Sequence, residues 1–290
     1  MKLLQAECLS CLAGKYLKLY PKNQAEEKVM EYERRVLRIL AEASESVSAP
    51  VVVRDINLVH EELFGYRIAY TEVKSHFNQL MLAQEQRLWN QIQQAADPLK
   101  LAISFSAICN YIDFAALERV EEDYLQKELD KAEDYPLDPQ TLESLKDDLK
   151  QARSLVLLTD NCGEVVADKL LLQLLSVQYP QLTLTAIVRG AAVQNDADRE
   201  DAEEVGLYRV ADVLDNGNDI AGTWIPELSG EARQALDEAD VILSKGQANI
   251  ETLRGNGRNT YYIFLCKCHM LAERFCVPRL TPMFLHEEAV

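Results

Sequence analysis

The first half of the chain has almost no glycine: Gly14 and Gly65 are the only two before position 160, and the other nine follow it. Strained turns are therefore scarce there. Good helix formers fill segments such as 24–43 and 84–96, so that half reads as helical. Positive charge is also short. Thirty Lys and Arg stand against 47 Asp and Glu, a net charge of −17. Phosphate backbones need clustered Lys and Arg, so a nucleic-acid partner is disfavoured. No apolar run approaches the roughly 20 residues of a membrane span, so no membrane partner is expected. Glu7 interrupts the short apolar stretch at the N-terminus, and Lys15 and Lys18 follow. That pattern is not a signal peptide, and the expected location is the cytoplasm. The seven cysteines are an odd number; without an export signal they read as thiols or a metal site rather than a disulfide framework. The chain shows no internal repeat and no low-complexity segment.

What is present falls into two portions, a helical one over 1–139 and an alternating one over 140–290. In the first, Pro50 and the valines at 51–53 break the helical run and read as a short extended link. Asp97-Pro98 opens a helix, with Asp as cap and Pro tolerated at the first position. This helix is apolar almost all round and is expected to be buried. It runs into Asn110 and Asp113, polar groups that need partners there. Segment 118–131 reads as a charged, solvated helix and 140–153 as an amphipathic one. Strands are then expected at 155–158, 182–188, 210–214, 241–244 and, last, 261–265, with a final helix over 267–275. Strands separated by helices argue for an α/β fold: a mostly parallel sheet covered on both faces, in three α/β/α layers.

Strand ends of such a sheet lie on one edge, where ligands bind. The first expected strand ends in Asp160, Asn161 and Glu164, the second leads to Asn195 and Asp196, and the fourth gives Lys245, Asn249 and Glu251. Carboxylates with an amide suit a hard divalent cation such as magnesium or manganese. A lysine beside them suits a phosphate oxygen, and the set suits phosphoryl transfer. Each residue read singly is also a common cap or turn residue. Cys8 and Cys11 have the spacing of half a zinc site, for which Cys266 and Cys268 are the candidate second half.

Taken together, four motifs resemble the metal-dependent damage-control phosphatases. Leu158-Thr159-Asp160-Asn161-Cys162-Gly163-Glu164 is similar to that family's Asp-Asn-x-Gly-Glu signature. Val188-Arg189-Gly190 with Asn195-Asp196-Ala197 is similar to its second motif. Ser244-Lys245-Gly246-Gln247-Ala248-Asn249-Ile250-Glu251 resembles Ser-Lys-Gly-Gln-Gly-Asn-Phe-Glu, and Asn110-Tyr111-Ile112-Asp113-Phe114 resembles an upstream element. Cys8-Leu9-Ser10-Cys11 resembles the Cys-x-x-Cys of the prokaryotic branch. The resemblance implies a Rossmann-like core behind a helical N-terminal portion. It implies a divalent metal (manganese, cobalt, nickel or magnesium) on Asp160, Asn161 and Asp196, and phosphate contact from Lys245. Asn110, Asp113, Glu164, Arg189, Asn249 and Glu251 would lie around a small phosphorylated metabolite, which the enzyme hydrolyses in metabolite repair.

This sequence departs from the family at Cys109 and Ala248, which stand for Gly, and at Ala192, which stands for Pro. The family's Asp-Pro-Tyr-x-x-x-Lys element becomes Ile68-Ala69-Tyr70-Thr71-Glu72-Val73-Lys74, which keeps Lys74 and Asn78 without the Asp, so altered substrate choice is expected. Two other enzyme classes fit these residues less well. A nicotinamide or flavin enzyme needs Gly-x-Gly-x-x-Gly after the first strand, whereas this turn is acidic and holds Gly163 alone. An S-adenosylmethionine-dependent methyltransferase also wants a glycine-rich first turn. A non-catalytic metal-binding protein of the same fold is the alternative outside enzymes.

Overall fold

The computed structural model describes residues 3–66, 70–113 and 120–290. Six strands form one sheet: β1 (Ser154–Leu158), β2 (Thr183–Val188), β3 (Asp212–Asp215), β4 (Val241–Lys245), β5 (Thr260–Cys266) and β6 (Thr281–His286). Their spatial order is β3-β2-β1-β4-β5-β6. All neighbours pair in parallel except β5 and β6, which are antiparallel. This is the strand order of a doubly wound α/β sheet. The order in which the strands are laid down reverses between β1 and β4, which puts a crevice at their carboxyl ends.

The strands are apolar on both sides because helices cover both faces. Leu155, Leu157, Leu243, Tyr261 and Ile263 point into one core with the helices Pro98–Cys109, Pro139–Gln151 and Glu164–Gln178. Val156, Leu158, Ile242, Tyr262 and Phe264 point into the other, under Gly230–Asp237, Gly246–Leu253 and His269–Phe275. Residues 4–64 have a third core of their own. There Leu12, Tyr16, Tyr32, Val36, Val52 and Ile56 join the helices Ala6–Tyr16, Glu26–Glu42 and Ala49–Phe64. Each fully buried aliphatic or aromatic side chain contributes roughly 1.5–3 kcal/mol, which is how a small bundle holds together beside the main core.

Several helices start where the sequence says they should. Asp97 caps the helix Pro98–Cys109 by accepting from the Lys100 N–H at 3.1 Å, and Asp138 caps Pro139–Gln151 from Thr141 at 2.7 Å. Two expectations are overturned. Residues 50–53 are not an extended link: they lie in the helix Ala49–Phe64, with Pro50 in its first turn. A first-turn proline removes only a donor that has no partner in the helix, and the buried Val51 and Val52 favour the packed helix over their extended propensity. The strand at 260–266 is not the last either, since β6 follows it. Pro282 hides β6 from a propensity reading, but a proline is tolerated on an edge strand. The charged segment expected at 118–131 is helical over Glu122–Leu129, with Leu125 and Leu129 buried; positions 118 and 119 lie outside the described residues. Among the described residues, no helix is long and apolar enough to cross a membrane.

Candidate active site

β1 ends at Leu158, and the chain turns through Asp160 to Gly163 into the helix Glu164–Gln178. Gly163 makes the turn possible. Its φ is +66°, and a Cβ would sit 3.0 Å from the Phe77 carbonyl oxygen. Its N–H donates to Asn78 Oδ1 at 2.6 Å. The loop after β2 is zipped to this turn by an isolated antiparallel bridge between Asn161 and Asp196. The Cys162 N–H donates to the Asn195 carbonyl at 2.8 Å and the Ala197 N–H to the Asp160 carbonyl at 2.7 Å. Two loops far apart in sequence thus present Asp160, Asn161 and Asp196 together at the crevice.

Amides and a guanidinium orient these groups. Asp160 Oδ2 accepts from Asn110 Nδ2 at 2.9 Å and Asn161 Nδ2 at 2.8 Å. Glu164 Oε2 accepts from the same two amides at 2.8 and 2.9 Å. Asn195 Nδ2 donates to Asn161 Oδ1 at 3.0 Å, which leaves that amide oxygen a second lone pair. Arg189 Nε donates to Asp196 Oδ2 at 2.6 Å, and its Nη2 lies 3.6 Å from Asp160 Oδ1. Burial pushes the Asp160 carboxyl well above its ordinary value, and the charges of Asp196 and Glu164 add to this. Burial also raises Asp196, outweighing Arg189 beside it.

This donor set fits a hard divalent cation. It offers two carboxylates and an amide oxygen, held by their neighbours, in a place where anionic charge is under-compensated. The terminal nitrogens of Arg189 are buried without a hydrogen-bond partner among the described residues. Such donors cost free energy unless a water or ligand oxygen meets them.

Lys245, expected as a phosphate contact, has its ammonium buried behind this cluster. It donates to Glu164 Oε1, to the Ser106 carbonyl at 3.0 Å, and pairs with Asp168 Oδ1 at 3.1 Å. Ser106 Oγ donates to Asp168 Oδ1 at 2.7 Å. Burial works against the Lys245 charge, but Asp168 and Glu164 outweigh it and hold its pKa above the ordinary range. Burial pushes Asp168 up to about 6 despite the ammonium. Two carboxyls thus share one ammonium.

Gly246 follows Lys245 with φ at +78°, and a Cβ there would lie 1.8 Å from Asp160 Oδ2. Gly246→Ala is therefore expected to displace the Asp160 carboxylate by an ångström or so. Activity should fall about 100-fold, with a lower melting temperature from the left-handed backbone. Steady-state kinetics and thermal denaturation check this; a variant close to wild type in both would show that Asp160 moves aside without consequence.

One helix from the N-terminal portion, Thr71–Leu82, braces both loops. Asn78 holds Gly163 through its oxygen, while its nitrogen donates to Asp201 at 2.8 Å. Lys74 pairs with Asp198 at 2.5 Å and Asp201 at 2.7 Å, just beyond Asp196. These are the residues retained in the altered family element; Ile68 and Ala69, where the element departs, lie outside the described residues, as does Phe114.

The remaining expected residues occupy the surroundings. Asp113 pairs with Lys267 at 2.7 Å. Asn249 donates to the carbonyls of Thr159 at 2.9 Å and Lys245 at 2.6 Å, joining the ends of β1 and β4. Glu251 accepts from Gln247 at 2.7 Å. Cys8 and Cys268 pack against the core on the second face of the sheet, Cys266 is buried and Cys11 is exposed. Cys268 Sγ accepts from the Leu271 N–H at 3.4 Å as a helix cap. Among the described residues no three His, Cys, Asp or Glu side chains are grouped to hold an ion; the set at the crevice counts two carboxylates and an amide.

Sequence reading missed Asp168, Ser106, Lys267 and the bracing role of Asn78. Asp168 did leave a signal. It sits one helical turn after Glu164, in a helix otherwise rich in Leu and Val, where a charge needs a buried partner.

An α/β sheet with clustered acidic and amide groups at its switch point has the architecture of the doubly wound class, which binds small ligands there. The profile of the damage-control phosphatase ARMT1-like domain matches residues 4–279, and the chain belongs to that family. It is 31% identical over 281 residues to a damage-control phosphatase of Archaeoglobus fulgidus, with 92% of this chain and 93% of that one covered. To a damage-control phosphatase of Pyrococcus horikoshii it is 26% identical over 289 residues, with 95% of each chain covered. A solved DUF89 family structure from Pyrococcus horikoshii shares the fold, with a TM-score of 0.82 over 98% of this chain and 99% of that one, at 23% identity.

Proposed function

We propose that this protein is a divalent-metal-dependent phosphatase that hydrolyses phosphate monoesters of small metabolites, sugar phosphates or damaged phosphometabolites among them, as a cytoplasmic repair enzyme. The observation that carries the reading is the bridge between Asn161 and Asp196, which brings Asp160, Asn161 and Asp196 together from two loops at the sheet's switch point. Those three would hold the ion, and magnesium, manganese, cobalt and nickel are the candidates. When bound it supplies an acidified water and neutralises phosphoryl charge.

The rest of the chemistry belongs to the chain. Asn110 and Asn161 fix the direction of the Asp160 and Glu164 carboxylates by donating to both. Arg189 holds Asp196 through Nε and keeps its terminal N–H groups for a phosphoryl oxygen. Lys245 acts from behind: by pairing with Glu164 and Asp168 it keeps the acidic cleft from accumulating uncompensated charge. Lys74 and Asn78 lock the loops in register.

The test is hydrolysis of para-nitrophenyl phosphate by metal-stripped protein with each of the four metals added back. Activity is expected to fall by about two orders of magnitude or more on stripping and to return with at least one metal. Full activity in stripped protein, or none with any metal in folded protein, overturns the reading.

A further inference from the structure

Behind the crevice, four buried side chains form a row: Ser106 from the helix Pro98–Cys109, Asp168 and Glu164 from the helix Glu164–Gln178, and Lys245 at the end of β4. The Lys245 ammonium carries three N–H groups, and three oxygens meet it. They are Glu164 Oε1, the Ser106 carbonyl at 3.0 Å and Asp168 Oδ1 at 3.1 Å. The Ser106 hydroxyl donates to the same Asp168 oxygen at 2.7 Å. Asp168 Oδ2 is buried with no hydrogen-bond partner among the described residues. A buried carboxylate served on one side only is costly to keep. Its place in a core of Leu, Val and Ala side chains therefore calls for a purpose other than packing.

Glu164 carries the arrangement forward. Its Oε1 meets the ammonium, while Oε2 accepts from Asn161 Nδ2 at 2.9 Å and Asn110 Nδ2 at 2.8 Å. The two ends of a carboxamide have nearly the same shape, and their partners decide which points where. Asn161 Nδ2 is taken by the carboxylates of Glu164 and Asp160, so Oδ1 is the end left for a cation. Lys245 stands at a fork. Its carbonyl accepts from Asn249 at 2.6 Å, which fixes its backbone, and Gly246, next in the chain, lies against Asp160. The flexible four-carbon stem thus starts beside an ion-binding carboxylate and runs back from it. Burial opposes the charge of the ammonium, and Asp168 does more than Glu164 to sustain it.

Resting on the phosphatase reading above, we infer that Asp168, fixed by Ser106, is a positioning residue: it holds the Lys245 ammonium back, so that a divalent cation and not the lysine neutralises Asp160. Without Asp168 the ammonium keeps a single carboxylate partner. It is then drawn forward toward Asp160, which stands beside the like charges of Asp196 and Glu164. There it competes with the ion, and it pulls Glu164 away from the Asn161 amide that Glu164 orients.

The experiment titrates manganese into metal-stripped protein by calorimetry, for wild type, Asp168→Asn, Lys245→Met, the double variant and Ser106→Ala, with circular dichroism as the check on folding. Asp168→Asn should bind manganese about tenfold or more weakly. Loss of a nearby negative charge alone also weakens a cation, and the double-mutant cycle separates the two causes. Lys245→Met should restore about tenfold in the Asp168→Asn background and change affinity less than about threefold in the wild-type one. Equal effects in both backgrounds overturn the inference. Ser106→Ala keeps every charge and loosens only the anchor of Asp168, so it decides the matter if Lys245→Met does not fold. A weakening of about threefold there supports the inference, and unchanged affinity sinks it. In turnover of para-nitrophenyl phosphate by Asp168→Asn, the half-saturating manganese concentration should rise with the calorimetric constant, while KM for the ester stays within about twofold. A raised KM with unaltered manganese binding would mean that Asp168 acts on substrate, and the inference falls. Wild type that binds manganese but hydrolyses no ester with any metal ends the phosphatase reading and leaves the tether to be judged by the binding data. Wild type that binds no manganese overturns the inference, while the other three metals still test the phosphatase reading.

Discussion

Asp160→Asn is expected to abolish metal-dependent hydrolysis, with a loss on the order of 10³-fold, while leaving the metal-free protein at least as stable as wild type. Both halves follow from one arrangement. The Asp160 carboxylate is nearly enclosed and lies beside Asp196 and Glu164, so burial and like charge both oppose its ionised form. Neutralising it removes a folding burden, and the isosteric amide keeps an oxygen for the Asn110 and Asn161 donors. The same change removes an anionic ligand from a set of three. Kinetics with added metal and thermal denaturation without it, on the same preparations, check the pair. A variant that is inactive and also much less stable would mean that Asp160 serves the fold rather than an ion.

Lys245→Met is expected to destabilise the protein by about 3–5 kcal/mol, because removing one member of a buried ion pair strands the others. Lys245 is wholly enclosed, as are Glu164 and Asp168 with which it pairs. Without the ammonium those carboxyls face each other in a site where burial already holds Asp168 near 6. Adding Asp168→Asn should therefore recover part of the loss, since one of the stranded charges is gone. Urea denaturation of the single and double variants makes the measurement. If Lys245→Met lost activity yet unfolded at the wild-type urea concentration, the lysine would serve substrate and not the acidic cluster.

The parts of this structure that were legible in the sequence are those written locally. β1, β2 and β4 are short apolar runs because both their faces are covered, and Asp160, Asn161 and Asp196 stand out as polar groups at the ends of such runs. The helix over 49–64 was hidden because Pro50 and three valines carry an extended bias that only tertiary burial reverses. β6 was hidden by Pro282, whose missing donor matters less at an edge. At the site, the sequence showed a lysine after a strand but not that its ammonium turns toward Ser106 in a helix about 140 positions earlier. The bracing of two loops by Lys74 and Asn78 was equally invisible, because each contact spans more than 80 residues of chain.

The antiparallel β6 has a consequence for the protein's behaviour at high concentration. β5 reads Thr-Tyr-Tyr-Ile-Phe-Leu-Cys, with every residue buried. A run so rich in β-formers and so poor in charge has the composition of segments that assemble into fibrils. As the last parallel strand it would form an open edge, offering its backbone to another molecule. β6 closes that edge along its length, from Tyr261 with His286 to Cys266 with Thr281, and brings a proline to the new border. The opposite border, β3, has four residues and an aspartate at each end. Both margins are thus poor templates for strand addition, and β6 shields the apolar β5 from pairing with another molecule.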